Sequence, residues 1–262
     1  MIAPALFIAH GSPTLAIEDD AYAAFLTRLG ASWRDAAQKP RAVVVFTAHW
    51  TTRHPAVSMR DGPYETIHDF YGFPEALYEV TYPARGSKAV AERVRTSLAA
   101  AGFPVSVDPA RGLDHGAWVV LRRLFPAADV PVVQASVVPG YAPEQLFRIG
   151  EALRPLRREG VLLIGSGGTV HNLMSLRWAE AEEAEAWAVA FDDWLLEKTM
   201  RRDVAALFDY RRTAPHALRA VPTPEHLAPY WIALGAGLPD QTPEVLYRDY
   251  QYGSLSLLAV AF

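Results

Sequence analysis

Continuous apolar runs alternate along the chain with stretches whose apolar residues recur at helical spacing. Residues 4–9, 41–48 (RAVVVFTA), 131–137 (PVVQASV) and 160–165 (GVLLIG) are almost uninterrupted, as strands covered on both faces are. Residues 104–107, 244–247 and 254–262 add further strand-like runs. Helical periodicity marks 19–37, 87–101, 143–158 and 180–200. The last is the longest amphipathic stretch, with Trp187, Phe191, Trp194 and Leu195 on one side. Asp114 caps a helix expected to reach about Leu124, and Thr223-Pro224-Glu225 has the cap, proline and early acid of another helix start. Residues 61–86, rich in Pro, Gly and Tyr, read as a long functional loop. Strands alternating with helices predict one α/β domain over residues 1–262, with a central mixed or largely parallel sheet flanked by helices.

Composition narrows the chemistry. The 262 residues are 51% hydrophobic with a formal net charge of -4, which fits a folded chain and argues against nucleic acid as the main partner. No apolar run approaches the length of a membrane span. The first ten residues lack the basic region of a signal peptide and read as a strand, so a cytoplasmic location is expected. There is no cysteine, which removes disulfides, thiolate nucleophiles and cysteine-held metals. Any metal must be held by nitrogen and oxygen.

Of eight histidines, five stand at strand ends or helix starts. His10, His49 and His171 follow buried strands, where α/β sheets bind ligands. His115 and His226 fall at predicted helix starts, where a protonated ring is disfavoured and the metal-binding neutral form is kept. A histidine after a strand is commonly only a hydrogen-bonded core or loop residue, and His54, His68 and His216 read that way; coincidence of five positions is what points to a metal site. Gly165-Ser166-Gly167-Gly168 lacks the lysine of a phosphate loop and reads as a tight turn. Ser12 and Ser166 are available to a hydrolase, but no G-x-S-x-G elbow supports one. Trp50, Trp118, Tyr71, Tyr78 and Tyr252 can wall an aromatic pocket or simply pack in the core.

Seven ordered motifs carry a family resemblance: Ala9-His10-Gly11-Ser12-Pro13, Thr47-Ala48-His49-Trp50, Ile67-His68-Asp69-Phe70-Tyr71-Gly72-Phe73-Pro74, Asp114-His115-Gly116-Ala117-Trp118, Val170-His171-Asn172-Leu173, Thr223-Pro224-Glu225-His226 and Gly253-Ser254-Leu255-Ser256. In this order they resemble the class III extradiol ring-cleavage dioxygenases of the LigB superfamily, in the DOPA 4,5-dioxygenase-like branch. The resemblance implies O2-dependent opening of a catechol-type ring at one divalent metal, with Fe(II) expected for catalysis and Zn(II) as another occupant. It implies metal ligation by His10, His49 and His226, with His171 either a fourth ligand or an acid–base residue. His115 is then catalytic, facing substrate and oxygen, and Ser12, Trp50, His68 and Tyr252 are assigned to substrate binding. The wider superfamily uses two histidines and a glutamate, so Glu225 competes with His226; adjacent helix residues point about 100° apart and only one faces the metal. The partners implied are a small aromatic substrate and O2, and a homo-oligomer is left open. Two other readings stay open on the residues: a zinc hydrolase or lyase, and a non-enzymatic metal-binding module.

Overall fold

The four uninterrupted apolar runs form the middle of one eight-stranded sheet. A computed structural model describes residues 2–33, 38–178 and 183–262. In chain order the elements are β1 (Ala5–Ala9), α1 (Ala21–Ala31), β2 (Ala42–Thr51), β3 (Ala56–Ser58), α2 (Glu75–Tyr78), α3 (Lys88–Ala100), β4 (Ser106–Asp108), α4 (His115–Leu124), β5 (Val132–Val137) and α5 (Pro143–Leu153). There follow β6 (Val161–Gly167), α6 (Ala186–Met200), α7 (Val204–Phe208), α8 (Tyr210–Thr213), α9 (Ala217–Ala220), α10 (Ala228–Ala236), β7 (Glu244–Tyr247), β8 (Tyr250–Gln251), β9 (Leu255–Ser256) and β10 (Ala259–Ala261). The main sheet runs β4-β3-β5-β2-β6-β1-β10-β7, while β8 and β9 pair separately. Its central strands β5, β2, β6 and β1 are parallel, and β10 and β7 add antiparallel strands at one side. The α/β architecture with a largely parallel mixed sheet is as the alternation of runs predicts. Among the described residues, no helix is long and apolar enough to cross a membrane.

Both faces of the sheet are covered, which is why the central strands lack polar alternation. One face packs against α3, α5, α6 and α10 through residues such as Phe7, Phe46, Phe191 and Trp231. The other packs against α1 and α4 through Ile8, Val45, Leu26 and Trp118. Helix α10 is buried on all sides, so its sequence is apolar around the whole circumference. Two glycines set its distance from α5. A Cβ on Gly235 would stand 1.9 Å from the Phe147 carbonyl oxygen, and one on Gly150 would stand 2.0 Å from that of Ile232. Backbone meets backbone there, with no flexible side chain to yield. Gly235→Ala is therefore expected to destabilise the protein by about 3 kcal/mol, seen as a lower urea midpoint at unchanged slope.

Several boundaries differ from the sequence reading. The helix expected over 19–37 is described only as Ala21–Ala31, capped by Asp20, and the expectation for 34–37 lies outside the described residues. The 180–200 helix is present from Ala186, and residues 180–182 also lie outside the described residues. The helix expected over 143–158 ends at Leu153 and continues as a 3-10 turn over Arg154–Glu159. The largest difference concerns residues 223–227. Helix α10 begins at Ala228, so His226 stands in the turn before the helix rather than as its third residue. The reason is tertiary: the His226 carbonyl accepts the Gly168 N–H at 2.8 Å, drawing it to the end of β6 and out of the helical ladder.

Candidate metal centre and active site

Parallel β1, β2 and β6 end together, and each delivers a histidine to the same edge. His10 is the first residue after β1, and His49 lies two residues before the end of β2. Between Thr47 and Thr51 the pairing of β2 with β5 breaks: four residues of β2 pass while β5 advances only from Ser136 to Val137. That irregularity turns His49 out of the ladder towards the other histidines. His226 arrives from the turn before α10, and Gly167 lets it approach. A Cβ on Gly167 would stand 2.1 Å from the His226 carbonyl oxygen.

The result is a convergence of three imidazoles. One ring nitrogen from each of His10, His49 and His226 lies within 4.8 Å of the other two, an arrangement that can hold a metal ion. The outer nitrogen of each ring has its own partner. Ser166 donates its hydroxyl proton to the Gly116 carbonyl and accepts from His10 Nδ1 at 3.2 Å. Glu225 Oε1 accepts from His226 Nδ1 at 3.1 Å and also takes the Thr223 hydroxyl proton at 2.7 Å. Asp69 Oδ2 lies 3.4 Å from His49 Nδ1. With Nδ1 protonated in each ring, Nε2 carries the lone pair. His10 Nε2 and His49 Nε2 then face each other at 3.1 Å, and His226 Nε2 is buried with no partner. Two facing lone pairs and a third orphaned one are unfavourable unless a cation lies among them. The donor set therefore fits a divalent metal.

Electrostatics agree with this protonation. Burial, followed by the neighbouring imidazoles, holds His10 and His226 well below the usual histidine range. Burial lowers His49 to about 3, with His115 adding to the effect, and burial lowers His171 to about 4. All four rings are neutral at pH 7. Burial raises the Asp69 carboxyl, but its hydrogen bonds and charge interactions with His115, and then His49, outweigh that and hold it at about 2.

His115 and His171 stand differently. His115 opens α4, with Asp114 as N-cap, and its ring centroid lies 3.9 Å from that of His49. Asp114 is buried and accepts from Thr47, Arg111 and Gln134, which locks the start of α4 to β2 and β5. His171 lies face to face on His226, with centroids 3.4 Å apart and planes 6° from parallel. Stacked rings point their nitrogens side by side, and His171 is not in the converging group of three.

Each residue assigned to substrate binding has protein contacts of its own. Ser12 caps a 3-10 turn and accepts from both the backbone and the hydroxyl of Thr14. Trp50 is buried beneath the Arg111 guanidinium. His68 Nε2 donates to the Val80 carbonyl at 2.9 Å, and its ring packs among Phe70, Tyr78 and Trp118. Tyr252 has φ of +51° and packs against Trp178. Ser166, weighed as a nucleophile, is fully buried and spends its proton on a carbonyl. Sequence reasoning gave no role to Asp69, although it lies inside one of the quoted motifs. It treated Glu225 only as a rival ligand, whereas Glu225 is the anchor of His226.

Comparison with known proteins places this geometry in a family. Residues 4–262 match the model of the catalytic LigB subunit of aromatic ring-opening dioxygenase. The chain belongs to the LigB family. As a LigB-family protein it is a class III extradiol dioxygenase, an oxidoreductase, and its family is metal-dependent. The chain is similar to the 4,5-DOPA dioxygenase extradiol of Beta vulgaris, with 38% identity covering 95% of this chain and 92% of that one. A protein of the same name from Escherichia coli (strain K12) is 37% identical, covering 98% and 93%. In structure, this LigB-family chain superposes on an uncharacterized Escherichia coli K12 protein with a TM-score of 0.84 and 32% identity, covering 99% of both chains.

Proposed function

We propose that residues 1–262 form a single catalytic domain that opens a DOPA-like catechol with O2 at one Fe(II) held by His10, His49 and His226. The observation that carries this reading is the buried meeting of three Nε2 lone pairs, each fixed by a partner on Nδ1. The names of the beet and E. coli relatives support a DOPA-like substrate. When bound, Fe(II) supplies the acidity that ionises a catechol hydroxyl and the one-electron chemistry that activates O2. Zn(II) suits the same three nitrogens but lacks that redox chemistry.

The chain's own residues handle position and protons. His171, stacked on His226 and neutral, takes the proton of the second catechol hydroxyl on a ring nitrogen. His115 keeps its Nδ1 proton towards Asp69, so its Nε2 lone pair faces the substrate side, where it can accept a proton and return it to oxygen as the ring opens. Phe70 meets the His115 ring edge-on at 5.7 Å and shields that side from water. The test is direct. The metal-free chain, loaded anaerobically with Fe(II) and given DOPA and simpler catechols, is expected to consume O2 on admission of air and form a yellow ring-opened product. No uptake across the panel, or turnover with Zn(II) and no O2 consumed, overturns the reading.

A further inference from the structure

Asp69 is the charged residue at the site for which ring opening alone assigns no task. Its carboxylate meets one backbone N–H and two imidazole nitrogens carried by two other elements. Oδ1 accepts the His115 backbone N–H at 2.9 Å and lies 3.0 Å from His115 Nδ1, while Oδ2 lies 3.4 Å from His49 Nδ1. The segment that brings it there is pinned. Ile67 N–H donates to the Leu113 carbonyl at 2.8 Å, Leu113 N–H to that of Glu65 at 2.9 Å, and Trp118 Nε1–H to that of Ile67 at 3.0 Å. The 61–86 stretch is thus fastened to the start of α4 at this point, and Asp69 is delivered with little freedom.

We infer that Asp69 is a positioning residue that orients two histidines of different function at once. It keeps the proton of His49 on Nδ1, so that His49 Nε2 faces the metal. It keeps the proton of His115 on Nδ1, so that His115 Nε2 faces the substrate. The inference rests on the metal-dependent reading above. Its chemical basis is that an ionised carboxylate offers two oxygens and no hydrogen, so an imidazole nitrogen held 3.0 or 3.4 Å from it is favourable when that nitrogen carries the proton. A purely structural role would need less. Asp114 already caps α4 through Ala117 N–H, and one oxygen suffices for the His115 N–H.

Asp69→Asn separates the two roles. Its single carbonyl can still accept the His115 backbone N–H, but its amide then turns N–H groups towards His49 Nδ1–H. In the full-length metal-free chain, Co(II) affinity is measured by competition with a chromophoric chelator. Asp69→Asn is expected to weaken Co(II) by about 10–100-fold. Its metal-free melting temperature is expected to stay within about 2 °C of the parent. With saturating Fe(II), kcat on a catechol falls about tenfold or more while KM moves less than about threefold. Unchanged Co(II) affinity overturns the inference, as does a metal-free Asp69→Asn that melts as low as Asp69→Ala. So does a parent chain that binds two equivalents of Co(II), one of them lost with Asp69, because Asp69 would then be a ligand of a second ion shared with His49 and His115. A parent chain that binds no Co(II), or binds it equally after His226→Ala, overturns the metal reading itself and the inference with it.

Discussion

Replacing His226 by alanine is expected to lower ring-opening turnover by about three orders of magnitude or more. A metal supplies several kcal/mol of charge stabilisation to a transition state, and each 1.36 kcal/mol is a factor of about ten in rate. His226 is one of three converging nitrogen donors, and its buried Nε2 has no other partner to compensate its loss. The variant also removes the surface on which His171 stacks, so the proposed proton acceptor loses its orientation together with the proposed ligand. Glu225→Gln provides the graded comparison. It keeps the ring and weakens only its Nδ1 anchor, and losses of about 10–100-fold in metal affinity are expected. Metal content and turnover measured side by side decide the point. A His226→Ala protein that retains one equivalent of Fe(II) and parental turnover would sink the assignment.

The second large effect is expected from Gly167→Ala, a change that touches no reacting group. The added methyl would stand 2.1 Å from the His226 carbonyl oxygen and 3.2 Å from Pro229 Cγ. The first obstacle is backbone, so the turn before α10 must move, at a cost of about 1–3 kcal/mol or more. The same shift carries His226 away from His10 and His49. Misplacement of a catalytic group by about 1 Å can cost about a hundredfold in rate. Gly168→Ala is the control, because its methyl would meet nothing closer than the His171 Cβ at 3.4 Å. That protein is expected to melt within about 2 °C of the parent. If Gly167→Ala matches Gly168→Ala in both melting temperature and turnover, the close approach at β6 does not hold His226 in place.

What the sequence made legible follows from how local each signal is. β1, β2, β5 and β6 are plain because burial on both faces leaves no polar residue to interrupt them, and the placement of His10 and His49 follows from where those runs stop. β3, only Ala56–Ser58, and the short helices α7 to α9 carry too few residues for a period to register. The Thr223-Pro224-Glu225 signal was misleading because a hydrogen bond from Gly168, more than fifty residues earlier, diverts the His226 carbonyl. Asp69 was hidden for a similar reason: its partners come from β2 and α4, and no spacing within its own loop announces them. The tie from the His68 ring to the Val80 carbonyl was hidden likewise, since no spacing in the sequence announces it.

The place of β1 in the sheet bears on how the protein is made. β1 is synthesised before both of its neighbours, since Ala5 pairs with Leu163 and Leu6 with Ala261. Until both neighbours exist, an apolar strand with two open edges must wait, which slows folding and leaves it exposed to association with other chains. His10 follows directly on that strand and, in the proposed metal site, needs His226, more than two hundred residues later. On the proposed ligation, metal uptake is a late event of biogenesis, and a nascent chain short of α10 has no three-histidine cradle to fill.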